Sequence, residues 1–325
     1  MSSLPAHHDP RGGYRNPWRS SEPHGFGSFL KWMVTRRNRP PEGNVPRLAT
    51  TGAVDSPGSG LSITWIGHST FLIRAGGMSV LTDPIWSERA SPFQFAGPRR
   101  HIPPGLSFDA LPPIDAVFMS HDHYDHLDDA TVRRLIARFP RTQWIMPLGV
   151  GPFFRARGAK DVTELDWWQD ASFGSISAVC TPAQHFSGRY PWNRNATLWA
   201  GWVIGLGTRR VFFAGDTALH PEFPDIASRL GPFDLAVLPI GAYEPRWFMK
   251  AVHMNPEDAV AAYSGIAGVP GNDSCVFIPS HWGTFRLTDE PLDEPPKRLQ
   301  KAWTEAALPK QCLYVLSPGE TSQQD

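Results

Sequence analysis

Cysteine is scarce in this 325-residue chain: Cys180, Cys275 and Cys312 are the full complement, odd in number and without a Cys-x-x-Cys pair. That argues against a disulfide framework and a thiolate zinc knuckle, and it points to a reducing compartment. Net charge is missing as well. Lys plus Arg and Asp plus Glu number 31 each, so the chain lacks the cationic field of phosphate-backbone binders, and nucleic acid is not an expected partner. No run approaches the roughly 20 apolar residues that span a bilayer, and Met1 to Pro10 lacks the basic and apolar regions of a secretion signal. The expectation is a cytoplasmic chain with neither signal peptide nor transmembrane helix.

What is abundant is bulky apolar material, with 13 Trp and 19 Phe, enough for the core of one large α/β domain. Residues 1–60 are rich in Pro, Gly, Ser and Arg and read as an irregular N-terminal arm, and residues 61–325 read as the main domain. One stretch of the arm differs. Phe26, Phe29, Leu30, Trp32, Met33 and Val34 precede Arg36, Arg37 and Arg39, the apolar-then-basic order of an interfacial membrane segment. Packing of the same residues on the chain's own domain is the plainer alternative.

From Leu61 onward, β-rich runs alternate with turns: Ser62 to Ile66, Thr70 to Ile73, Ser79 to Thr82 and Ala116 to Ser120. A helix follows, with Asp128 or Asp129 as its cap and Val132, Leu135, Ile136 and Phe139 forming one stripe. A second strand set comprises Ser175 to Cys180, Leu198 to Ile204, Val211 to Ala214, Leu235 to Ile240 and Cys275 to Pro279. Two similar halves are implied. Asn255, Pro256 and Glu257 mark a further helix start, with Pro at the first helical position and an acidic first turn.

Directly after the strand Ala116 to Ser120 comes His121-Asp122-His123-Tyr124-Asp125-His126, three imidazoles and two carboxylates within six residues. A polar helix-capping loop would not bring so many ionisable groups together without a shared cation. Alternation along an extended loop lets His121 and His123 share one ion while Asp125 and His126 turn toward another. His185, Asp216 and His281 also follow strands. Each alone is an ordinary turn residue, and only their common placement at strand ends favours one converging site.

The order His-x-His-x-Asp-His, a distant His, Gly215-Asp216-Thr217 and then His281 resembles the metallo-β-lactamase superfamily. The resemblance implies an α/β fold, an αββα sandwich of two mixed sheets with helices outside, and 61–325 as the catalytic domain. It also implies two divalent metal ions, usually zinc. His121, His123 and His185 would hold the first, Asp125, His126 and His281 the second, and Asp216 would bridge them.

A narrower likeness is carried by Leu81-Thr82-Asp83-Pro84, Arg89-Ala90-Ser91-Pro92, Leu165-Asp166-Trp167-Trp168, Gly231-Pro232-Phe233-Asp234-Leu235 and above all Pro239 to Lys250. These are similar to the N-acylphosphatidylethanolamine-hydrolysing phospholipase D family. The likeness runs from about Tyr14 to Gly319 and takes in the Phe29 to Met33 cluster. It implies a phospholipid substrate, a peripheral membrane surface as partner, a homodimer as a family expectation, and release of N-acylethanolamine and phosphatidic acid.

In that reading Asp125 and Asp216 are catalytic, His253 stabilises charge or donates a proton, and His253 and Tyr124 contact the substrate phosphate. His253 as a capping neighbour and Tyr124 as packing beneath the metal loop are the structural alternatives. Gly268 to Ser274 looks like an insertion relative to the family. His7, His8, His24, His68, His101 and His220 receive no ligand role, although for His68 a hydrogen bond to the site and a plain core role both fit. The alternative function is a soluble hydrolase of the same fold acting on another phosphodiester, ester or lactone.

Overall fold

The structure is a computed structural model that describes residues 4–18, 25–35, 43–48, 60–190 and 192–324. Two hairpins open the domain, through strands β1 (Leu61–Gly67), β2 (Thr70–Ala75) and β3 (Met78–Thr82). Gly76 and Gly77 form the second turn at φ 58° and 79°, a left-handed pair whose twist matches the flanking strands. Beside β3 lie β4 (Ala116–Phe118), β5 (Gln143–Pro147) and β6 (Val162–Leu165), each parallel to its neighbour.

The second sheet runs through β7 (Asp170–Phe173), β8 (Ile176–Thr181), β9 (Gly201–Leu206), β10 (Arg209–Phe213), β11 (Leu235–Pro239) and β12 (Val276–Ser280). β10, β11 and β12 are parallel. The last strand, β13 (Thr321–Gln324), returns to pair with β1 at the edge of the first sheet. Parallel neighbours bring the loops after several strands to one side, so residues far apart in sequence share one edge.

Between the sheets lie Trp65, Phe118, Trp202, Phe213 and Val237, all fully buried. The Trp202 indole N–H donates to the Met119 carbonyl at 2.8 Å and ties one sheet to the other across this core. Helix Asp129–Arg138 covers a second cluster. Val132 and Leu135 bury fully there, while Ile136 and Phe139 pack at its margin. Helix Pro256–Ala267 starts on a capping box between Asn255 and Asp258, with Pro256 at its first position.

Several boundaries differ from the sequence reading. The run expected from Leu198 starts as a strand at Gly201, and that expected to Ser120 ends at Phe118. β5, β6, β7 and β13 carry little apolar alternation of their own. β13 reads Thr-Ser-Gln-Gln, so its pairing to β1 supplies what its composition does not.

Within the segment read as irregular, Phe26–Thr35 is a helix. Trp32 anchors it, donating its indole N–H to Asp289 Oδ2 at 2.7 Å and stacking on Phe248. Arg36, Arg37 and Arg39 lie outside the described residues. Closer to the start, His7 and His8 both reach Asp166, at 2.6 and 2.7 Å. Asn16 Nδ2–H donates to the His185 carbonyl at 2.9 Å, and Trp18 stacks on Trp167 and His220. No helix among the described residues is long and apolar enough to cross a membrane.

Candidate metal centre

The loop after β4 is pinned before its histidines begin: Ser120 N–H donates to Asp83 Oδ1 at 2.7 Å, and Ser120 O accepts from Ala200 N–H. Two turns follow, from His126 N and Leu127 N back to His123 O, and they fold His126 toward His121. Asp216 is brought in by Gly215, at φ 61°. A Cβ there would lie 2.6 Å from Ser120 Cβ and 2.8 Å from Ala200 O, so the β10 end can press on the β4 loop only with glycine. His281 follows β12 at φ 62°, and its N–H donates to His68 O.

All seven residues predicted as ligands meet. His121 Nε2 lies 2.8 Å from His123 Nδ1, and His185 Nε2 lies 3.2 Å from the same atom. Asp125 Oδ2 lies 3.3 Å from both His126 Nε2 and His281 Nε2. Asp216 Oδ2 sits between the two groups, 3.1 Å from His126 Nε2, 2.9 Å from His281 Nε2 and 3.8 Å from His185 Nε2. His123 is half-buried and the other six are buried.

Burial, reinforced by the neighbouring imidazoles, pushes His121 well below its ordinary value and His123 down to about 3, and burial takes His185 to about 4. All three are therefore neutral at pH 7, with a lone pair to give. Burial works to raise the Asp125 and Asp216 carboxyls, yet His126 foremost holds both well below the usual carboxylate range. Burial opposes protonation of His126, but Asp216, Asp125 and Asp83 lift it well above the ordinary value. His281 is likewise pushed up to about 9 against its burial, by Asp216 and Asp125.

Partners behind the ring fix which nitrogens face inward. A backbone carbonyl only accepts, so His185 Nδ1 carries the proton it donates to Val252 O at 2.9 Å, which leaves its Nε2 lone pair toward the centre. Ser120 Oγ–H is spent on Asp83 Oδ2 at 2.5 Å. His121 Nδ1–H therefore donates to Ser120 Oγ at 2.8 Å, and its Nε2 faces inward too. Asp83 also receives His126 Nδ1–H at 2.7 Å.

Asp83, which the motif Leu81-Thr82-Asp83-Pro84 does not by itself mark out, is thus a member of the site. Nothing local distinguishes it from a turn aspartate 37 residues from Ser120. His126 Nε2 and Asp216 Oδ1 are buried with no hydrogen-bond partner, and the carboxylates that lift His126 and His281 mark a place that favours positive charge, which a shared cation would supply with both rings deprotonated. Groups drawn from these residues have donor atoms close enough to hold a metal ion.

His253 lies at the rim, buried, with Nε2 4.0 Å from Asp216 Oδ2 and its ring 4.9 Å from that of His185. Tyr124, within the same loop as His121 to His126, is half-buried and donates its hydroxyl proton to Arg189 O at 3.0 Å beneath the Arg189 guanidinium. His68 lies against the centre as well, with Nε2 2.9 Å from Asp125 Oδ2. His7, His8 and His220 stand apart from it.

Two facing mixed sheets carrying a buried His/Asp cluster on the loops at one edge define a metal-dependent hydrolase of the αββα sandwich class. A family model described as a β-lactamase superfamily domain matches residues 79–282, a span that holds all seven clustered donors, and the chain belongs to this family. Among its relatives is an uncharacterised protein of Mycobacterium tuberculosis, 45% identical over 278 residues, 84% of this chain and 73% of that one. The N-acyl-phosphatidylethanolamine-hydrolyzing phospholipase D 1 of Caenorhabditis elegans is 42% identical over 254 residues, 75% of this chain and 70% of that one. Among solved structures, Igni18, a metallo hydrolase from the archaeon Ignicoccus hospitalis, superposes with a TM-score of 0.59 at 22% identity. It spans 82% of this chain and 98% of its own, a likeness of fold.

Proposed function

We propose that this chain is a phosphodiesterase of phospholipase D type that hydrolyses N-acylphosphatidylethanolamine to N-acylethanolamine and phosphatidic acid. The observation that carries hydrolysis is the convergence of His121, His123, Asp125, His126, His185, Asp216 and His281 on one buried centre. The identity with the C. elegans enzyme supports the lipid substrate.

His121, His123 and His185 would hold one ion and Asp125, His126 and His281 a second, with Asp216 within reach of both. Two divalent ions, zinc by preference in an imidazole-rich set, supply when bound an acidified water and positive charge opposite the phosphoryl oxygens. Asp125 accepts a hydrogen bond from the attacking water and turns its oxygen toward phosphorus. The new O–P bond forms as the bond from phosphorus to the ethanolamine oxygen breaks, and the proton given up by water ends on the departing alkoxide. His253 offers an imidazole N–H to the phosphoryl oxygens, and Tyr124 lines the approach.

The working surface is a membrane held peripherally. Leu30 and Val34 are 49% and 66% exposed on helix Phe26–Thr35, with Lys31 over the half-exposed Trp247 beside them, which suits a helix lying at a lipid interface.

The test is lipid chromatography after purified, metal-analysed protein meets vesicles of N-acylphosphatidylethanolamine. Wild type releases the ethanolamide and Asp216→Asn does not, while His253→Ala keeps its metal and loses turnover. A fully loaded protein that leaves this lipid intact but opens a lactone or another ester overturns the substrate.

A further inference from the structure

His68 and His281 are neighbours in an unusual backbone conformation. His68 follows β1 at φ 55° and His281 follows β12 at φ 62°, both left-handed without being glycine, a strain that persists only where the surroundings hold it. Here they do. His68 N–H donates to Thr284 Oγ1 at 2.7 Å, and His68 O accepts from both the Trp65 indole at 2.9 Å and His281 N–H at 3.1 Å. The two rings lie 4.0 Å apart, and His68 is 1% exposed.

The result of this bracing is one contact: His68 Nε2 lies 2.9 Å from Asp125 Oδ2, nearer than His126 Nε2 or His281 Nε2, both at 3.3 Å. A carboxylate only accepts, so His68 meets Asp125 as an Nε2–H donor, and it lies to one side of the centre: His126 Nε2 and His281 Nε2 also reach Asp216 Oδ2, at 3.1 and 2.9 Å, a contact His68 does not make among the described residues. His68 Nδ1 is buried without a hydrogen-bond partner. His68 therefore belongs behind Asp125, as Asp83 belongs behind His126.

We infer that His68 is a positioning residue whose Nε2–H fixes the Asp125 carboxylate so that its remaining lone pairs face His126 and His281. This rests on the proposed two-ion centre and adds to it a hydrogen bond that sets one half of it. Ligating carboxylates are themselves held by hydrogen bonds, and loss of such a bond weakens metal binding by roughly 10–100-fold.

The experiment needs no substrate. Wild type, His68→Ala, His68→Phe and His68→Gln are stripped, checked for intact folding by their metal-free melting temperatures, and titrated with zinc against a chromophoric chelator, with elemental analysis of the loaded forms. Wild type takes two ions. His68→Ala and His68→Phe keep one at wild-type affinity and bind the other about 10–100-fold more weakly. His68→Gln, whose amide N–H reaches a similar distance, recovers most of the loss.

Full two-ion affinity in the Ala and Phe variants makes His68 a core residue and overturns the inference. Equal loss in Gln and Ala overturns it too, because a proton donor would then not be what matters. A wild type that takes no zinc removes the centre itself. Two-ion binding without hydrolysis of N-acylphosphatidylethanolamine instead refutes the substrate and leaves the role of His68 intact.

Discussion

Asp83 and His126, both with side chains wholly withdrawn from solvent, are joined by a hydrogen bond of 2.7 Å from His126 Nδ1–H to Asp83 Oδ2. The same carboxylate accepts the Ser120 N–H and hydroxyl, so it sets the start of the loop His121 to His126 and the ring of its last histidine together.

Asp83→Asn keeps the shape, but its amide nitrogen meets donors where an oxygen now accepts. A tenfold or greater loss of zinc affinity is expected, with a parallel loss of turnover, since outer partners of ligating histidines contribute on that scale. Zinc titration of the stripped variant checks it, and wild-type affinity refutes it.

Gly215→Ala tests the join between β10 and β4. The added methyl meets Ser120 Cβ and Ala200 O at 2.6 and 2.8 Å, at a φ of 61°. Strain of this kind costs about 1–3 kcal/mol, so urea unfolding shifts by that amount. Asp216 moves with its neighbour, and metal content falls below that of wild type.

His220 gives a pH dependence separate from the metal centre. It is buried between Trp18 and Phe223, and burial alone pushes its pKa down from 6.5 to about 3. The folded value lies below the unfolded one, so its contribution to stability is complete above pH 6.5 and is lost as pH falls toward 3. Each unit amounts to about 1.4 kcal/mol, or about 2 kcal/mol between pH 6.5 and 5. His220→Phe lowers the slope of the stability curve of metal-free protein by up to one proton over that window, leaving the part due to the other buried histidines, and an unchanged slope contradicts the assignment.

The membrane surface is tested on helix Phe26–Thr35. Leu30→Ser with Val34→Ser changes two exposed residues and leaves the Trp32 anchor to Asp289 in place. Sedimentation with vesicles drops several-fold, while hydrolysis of detergent-dispersed lipid is preserved. Equal sedimentation places the lipid-facing surface elsewhere.

Much of the centre was readable because its information is local. Six consecutive residues, His121 to His126, hold four of the seven donors, and a strand end followed by His or Asp marks the other three. Apolar runs such as Leu235–Pro239 and Leu61–Gly67, buried on both faces, announce themselves in the same way. The residues behind the donors carry no such mark. Asp83 resembles any turn aspartate until His126 and Ser120 arrive beside it, and His68 resembles a core histidine until Asp125 does.

The sequence by itself thus determined the donor types and most of the strands that deliver them, because these depend on chemistry and periodicity within short windows, while the sandwich class was implied by the likeness of the whole motif order to a known family. Only the tertiary structure decided which nitrogen of each ring faces inward and which carboxylate stands behind which histidine. It also decided that β13 closes the first sheet and that His7 and His8 grip Asp166, 159 and 158 residues away. Such choices depend on partners distant in the chain, and a hydrogen bond has no signature in one of its ends alone.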